Sequence, residues 1–237
     1  MPNKCYAMDE NTLHSKVKEI KQSFRLMMDG VVAQSMRDKG VNYHLNWGAT
    51  LPRLKAKAEE LKAEYANTSP FTSSPSHHAS DHSPLYDLAI ALWKENVREC
   101  KILATMLMPA DEMLPGVCDV WMEQIAELEI AEQAAFNLWQ HLPYAPAKAY
   151  EWIASDKEYY QLCGFHVLSR LFMNGQEPNE RGINEFLDQA AAALQGPFWS
   201  VRKAALQSVN HFSELGLVYE RMAHSVLRTN SCYLENH

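Results

Sequence analysis

Glycine is scarce in this chain, with 9 in 237 residues, and runs of alternating β-branched residues are rarer still. Sheet-rich folds draw on both, so an extended architecture is excluded first. No CxxC pair occurs, and the five cysteines (Cys5, Cys100, Cys118, Cys163, Cys232) are odd in number and widely spaced. That excludes a disulfide framework and a thiolate zinc site; reduced core thiols in a cytoplasmic protein are expected. No apolar run is long enough to span a bilayer, and Met1-Pro2-Asn3-Lys4 leads into polar sequence without a signal-peptide apolar region. No membrane partner is expected. GxxxxGK[ST] and GxGxxG are both missing from any strand–helix context, so no nucleotide cofactor is expected. A general basic surplus is also lacking, since the formal net charge is −7. Only residues 1–65 carry a positive balance, 11 Lys and Arg against 8 Asp and Glu.

What the sequence does hold is helix-forming pattern. Hydrophobic residues make up 47%, and Ala, Leu, Glu, Gln, Met and Lys dominate the periodic segments. A helix is predicted over 11–28, capped by Asn11 or Thr12, with Gly30 interrupting or bending it. A second spans 31–37, closed by Gly40. Thr50 caps a third through Tyr65, with Pro52 in its first turn and Arg53, Lys55, Lys57 and Lys62 along it. Residues 66–83 are rich in Ser, Pro and His and are expected to be a flexible loop. His77, His78, Asp81 and His82 are metal-ligand types, but no rigid second shell is apparent around them, so no metal is expected. From Pro84 the chain reads as helix after helix: 84–93, 97–107, 115–125, 129–139, 146–153, 157–173, 180–194, 198–209 and 216–228, followed by a polar tail over 230–237. Residues 1–65 and 84–229 are expected to form one continuous domain.

Four of these helices resemble one another. Arg98-Glu99-Cys100-Lys101-Ile102-Leu103-Ala104 matches the segments that start at Glu132, Gln161 and Arg202, at steps of 34, 29 and 41 residues. Each has a polar start, then small or slim residues, then large apolar ones. Slim residues at that place suit helix pairs stacked side by side, and steps near 40 residues belong to two-helix repeats. The predicted fold is all-α: an α-α superhelix (solenoid) of HEAT-like helical repeats. In the last copy, Val201, Ala204, Ala205 and Val209 share one face and Arg202 and Lys203 lie off it.

Leu88-Ala89-Ile90-Ala91-Leu92-Trp93, followed by Arg98-Glu99-Cys100-Lys101-Ile102-Leu103-Ala104, resembles a helix pair of the DNA alkylation repair family, the HEAT-like-repeat DNA glycosylases of the AlkD type. Pro52-Arg53-Leu54 to Ala58 looks like the helix that precedes that pair, and Val201-Arg202-Lys203-Ala204 is similar to a later repeat helix. The resemblance runs from about Pro52 to Leu227. It implies a curved stack with a concave DNA-binding face and, in active members, release of N3- or N7-alkylated purines. Departure of the base leaves oxocarbenium character on the sugar, which a carboxylate stabilises. Aromatic faces attract the cationic base, and Arg or Lys holds the backbone. Active members supply an Asp, two Trp and an Arg.

Here the pattern changes. The segment Trp121-Met122-Glu123-Gln124-Ile125-Ala126-Glu127-Leu128-Glu129 has no Asp at the expected spacing from a Trp, so Glu129 is the leading carboxylate, with Glu127 and Glu132 as rivals. No Arg stands near Gln161-Leu162, and Gln207 occupies the place of the second Trp. Arg53, Lys55, Trp121, Trp199, Arg202 and Lys203 are the candidate DNA contacts. Trp93, Trp121, Trp139 and Trp152 also suit core packing, and His166, among apolar neighbours, reads as a satisfied buried histidine. The expected function is binding of alkylated or distorted duplex DNA, with base release weak or absent; an active form would be a DNA-alkylpurine N-glycosylase. The competing reading is a non-catalytic helical scaffold for a protein partner.

Overall fold

A computed structural model describes residues 9–41, 43–67 and 82–234. Every regular element among them is helical, so the architecture is an all-α helical repeat without strands. The chain divides into two compact units, Met1–Leu114 and Pro115–His237.

The first unit holds α1 (Glu10–Leu26), α2 (Gly30–Asp38), α3 (Leu51–Asn67), α4 (Pro84–Lys94) and α5 (Arg98–Leu107). Helix α1 starts at Glu10 rather than at Asn11 or Thr12, because Asp9, in extended backbone, accepts the Thr12 amide at 3.0 Å. Gly30 does not bend this helix. It opens α2, whose cap is Asp29, accepting from the amides of Val31 and Val32. Gly48 (φ +74) lies so close to this cap that a Cβ would come 2.2 Å from the Asp29 carbonyl oxygen. Helix α4 packs on α5 and α1, and α3 packs on α5. Ile20, Phe24, Leu54, Leu61, Leu88, Leu92 and Leu103 form the core between them. Arg98 and Glu99 are buried with them. Arg98 Nη1 donates to the Ala49 carbonyl at 2.9 Å, and Glu99 Oε1 accepts the amides of Trp47 and Ala49 at 3.1 and 3.2 Å. The irregular segment before α3 is thereby fastened to the start of α5.

The second unit holds α6 (Pro115–Glu123), α7 (Leu128–Asn137), a one-turn 3-10 helix (Trp139–His141), α8 (Ala145–Ile153), α9 (Glu158–Met173), α10 (Glu180–Leu194), α11 (Trp199–Ser213) and α12 (Leu217–Leu234). The sequence predicts one helix through Trp139; instead α7 stops at Asn137. The chain turns at Leu138, and Trp139 goes into the core against Trp152, ring centroids 4.8 Å apart. Helix α12 continues past Thr229, where the sequence predicts a tail.

Helices α7, α9 and α11 pack side by side, as do α8, α10 and α12. These are the two layers of a helical-repeat stack, and the similar segments that start at Glu132, Gln161 and Arg202 all fall in the first layer. Gly164 shows why slim residues recur in them: a Cβ there would lie 2.7 Å from Ile153 Cγ2 and 2.8 Å from the Ala149 carbonyl oxygen of α8. Phe172 of α9, Phe186 of α10 and Phe212 of α11 meet at centroid distances of 5.0–5.4 Å and lock the layers together.

The Ser/Pro/His-rich loop lies largely outside the described residues, and with it His77, His78 and Asp81. His82 is described, and it stacks on Tyr86 at 4.0 Å. Among the described residues no helix is long and apolar enough to cross a membrane. Burial pushes the Cys100 and Cys118 thiols up to about 12 and raises that of Cys163 as well, so these three are inert packing groups.

Candidate nucleic-acid interface

The outward side of the α7/α9/α11 layer is set by which side of each helix is buried. Helix α11 buries Val201, Ala204, Ala205, Ser208, Val209 and Phe212 and leaves Lys203, Leu206, Gln207 and Asn210 exposed. Helix α7 buries Ile130, Ala131, Ala134 and Ala135, which leaves Glu129, Glu132 and Phe136 half-covered. Between them α9 is buried continuously from Leu162 to Ser169, and Arg170 is half-covered at the end of that run. Three ties fix the register. Cys163 Sγ donates to the Ala131 carbonyl at 3.6 Å, Ser200 Oγ donates to Glu158 at 2.5 Å, and Ser169 Oγ pairs with His211 Nδ1 at 2.7 Å.

These helices bring together three residue pairs, each spaced four apart on its own helix: Glu132 and Phe136, His166 and Arg170, Trp199 and Lys203. His166 Nε2 lies 3.9 Å from Glu132 Oε1. The His166 ring meets Phe136 edge-on at 4.8 Å, and the Arg170 guanidinium sits 4.6 Å over the Phe136 ring. The Lys203 ammonium sits 5.4 Å from the centroid of Trp199, which is 66% exposed. His166 Nε2 has no hydrogen-bond partner, so the expectation of a satisfied buried histidine does not hold. Burial first, and then the charges of Arg170 and Lys203, lower its pKa to about 4; the imidazole is neutral at neutral pH. Burial raises the pKa of Glu132, Glu129 adds to that, and the Lys203 ammonium opposes it.

The structure separates the sequence candidates. Lys203 and Trp199 belong to the cluster. Arg202, one residue away, is turned back onto its own helix start and donates to the carbonyls of Gly196 and Pro197 at 2.7 and 3.1 Å. Glu129 is half-buried in the first turn of α7, and the carboxylate beside His166 is Glu132. Trp121 is 2% exposed and packs inside the second unit. Arg53 and Lys55 lie on α3 of the first unit; both are exposed, and Arg53 donates to the Met27 carbonyl at 3.0 Å. Sequence reasoning missed Phe136 and Arg170. The four-residue spacing repeated in three similar helices is the signal that carries them.

A cation resting on an aromatic ring is suited to nucleic acid: the ring stacks on a base or sugar while the cation reaches phosphate. No curated protein matches this chain. A solved structure described as "A new family of proteins related to the HEAT-like repeat DNA glycosylases with affinity for branched DNA structures" superposes with a TM-score of 0.71. It shares 14% identity and covers 90% of this chain and 82% of its own, so the likeness is one of fold. Family and fold are consistent with DNA binding on a concave helical face. The family model described as DNA alkylation repair enzyme matches residues 21–213, and the chain belongs to that family.

Proposed function

We propose that this protein binds alkylated or distorted duplex DNA on the outward side of α7, α9 and α11 and releases bases weakly or not at all. The observation that carries this reading is the joint placement of Arg170 over Phe136 and Lys203 over Trp199 near a buried imidazole whose Nε2 has no hydrogen bond.

Glu132, a rival to Glu129 for the catalytic carboxylate, is the one that lies beside His166. Its chemistry is unfavourable for the task. An oxocarbenium ion is stabilised by an unopposed anion, whereas burial disfavours the ionised form of Glu132 and the Lys203 ammonium offsets its field. Gln207, one turn beyond Lys203, offers no ring for a cationic base.

Incubation with duplex DNA carrying 7-methylguanine or 3-methyladenine tests the reading. The expected result is salt-dependent binding with base loss close to the spontaneous rate. Release far above that rate, abolished in Glu132→Gln, would overturn the non-catalytic part. A protein scaffold is the second reading, favoured by the net charge of −7 and by exposed Leu206 beside Lys203. Binding to DNA that does not weaken with salt, or no binding at all, would favour it, because phosphate contacts release counterions at a slope of about 0.9 each.

A further inference from the structure

In the first unit, an open groove of about 260 Å³ runs along α1 and is lined by His14, Val17, Lys18, Lys21, Gln22, Arg25 and Glu95. At 100° per residue, His14, Lys18, Lys21 and Arg25 fall within about 60° of one another, so they form a single stripe along the helix. Val17 is buried and lines the groove beside the stripe; Ile20 and Phe24 are the other buried residues of α1.

Lys16, on the same helix, is already engaged, pairing with Glu64 at 2.8 Å. On the stripe itself Lys21 pairs with Glu95 at 2.7 Å. Lys18 and Arg25 are exposed and have no ion-pair partner among the described residues. The groove therefore holds three cations against one carboxylate, in a chain whose net charge is −7. Such an uncompensated stripe is suited to a regularly spaced anion. Lys18 and Arg25 are seven residues apart, about 10 Å along the axis at 1.5 Å per residue. That is about three phosphate-to-phosphate steps along the axis on one DNA strand, at about 3.4 Å each.

We propose that the α1 groove is a second contact for the phosphodiester backbone of duplex DNA, with Lys18 and Arg25 as the phosphate ligands, Gln22 and His14 as additional hydrogen-bonding groups, and Lys21 held in line by Glu95. It rests on the DNA-binding reading above but uses none of the residues of the α7/α9/α11 cluster.

The test is the salt dependence of duplex DNA affinity, read by fluorescence anisotropy, for the wild type, the pair Lys18→Glu with Arg25→Glu, and a control pair Arg181→Glu with Arg221→Glu. The control makes the same change of net charge on α10 and α12. The groove pair is expected to flatten the slope of log affinity against log salt by about 2, at about 0.9 per lost phosphate contact, while the control keeps the wild-type slope. All four positions are exposed, and unchanged circular dichroism verifies the fold. An unaltered slope in the groove pair overturns the α1 site and leaves the DNA reading standing. Equal losses in both pairs overturn it too, by reducing the effect to net charge. A wild type without salt-dependent binding overturns the DNA reading itself and the α1 site with it.

Discussion

Each unit buries charged or titratable side chains, and the two solve the problem differently. In the first, Arg98 is 2% exposed and Glu99 is fully buried; the two lie 3.2 Å apart, each also bonded to the backbone of the Trp47–Ala49 segment. Opposite charges are kept, and they fasten a loop to a helix. In the second, His166 is buried beside Glu132 at 3.9 Å, without a hydrogen bond from Nε2 and with two cations nearby. The imidazole is neutral because burial and those cations disfavour its protonation. Neither cluster is fully satisfied, since Glu99 Oε2 and His166 Nε2 are both buried without a hydrogen-bond partner. Charge separates them: Arg98 and Glu99 keep opposite charges in contact, whereas the burial of His166 and its cationic neighbours disfavour its protonation.

The largest expected effect breaks the first cluster. Glu99→Ala leaves the Arg98 guanidinium with one charge partner fewer and removes the acceptor of the Trp47 and Ala49 amides. Removing one member of a buried ion pair costs about 3–5 kcal/mol. A fall in denaturant midpoint of that size, read by chemical unfolding, is the expected outcome; a loss under about 1 kcal/mol would mean that the pair is dispensable to the fold.

His166→Phe should act the other way and with pH. The unfolded chain protonates this histidine near 6.5, and the folded chain resists until about 4. Between those values the unfolded state binds more protons, so the His166 contribution falls as pH drops through the window and is fully expressed only above it. Glu132 works in the opposite sense. Its raised pKa favours the folded state at low pH, and that contribution is lost as pH rises. Arg170 and Lys203 are the cations that act on His166, and burial raises the pKa of the nearby Cys163 thiol, which keeps it neutral. Relative to wild type, the Phe variant is therefore expected to gain up to about 3 kcal/mol between pH 6.5 and 4, since each tenfold difference in proton affinity between the two states is worth about 1.4 kcal/mol. Parallel stability–pH curves for the two proteins would show that the imidazole titrates normally and that the contrast between the units is false.

Much of this was legible in the sequence, and the physical reasons differ by feature. The repeat helices were, because burial imposes the 3.6-residue period and close helix packing demands slim residues such as Gly164. Helix ends were less so. The Asp9 and Asp29 caps and the inward turn of Trp139 are decided by single hydrogen bonds and by packing against Trp152, which periodicity does not encode. At the candidate interface, the charge of Lys203 and the exposure of Trp199 follow from their place on α11. The choice between Glu129 and Glu132 does not, since the two are three residues apart on one helix and only the position of His166 on α9 separates them.

The smallest effect sharpens the contrast most, because it divides burial from charge. Lys203 is exposed, so water screens it, and its influence on His166 and Glu132 comes after that of burial for both. In Lys203→Gln the ammonium no longer opposes imidazolium formation, so the pKa of His166 should rise from about 4 yet stay well below 6.5. Glu132 should rise as well, having lost the cation that favours its ionised form. Both changes share one sign, and side-chain NMR titration reads them separately. If His166 instead returned to 6.5, the neutral imidazole would be a product of the neighbouring charges rather than of its place between α7, α9 and α11. A phosphate bound at Lys203 and Arg170 would then by itself be enough to protonate it.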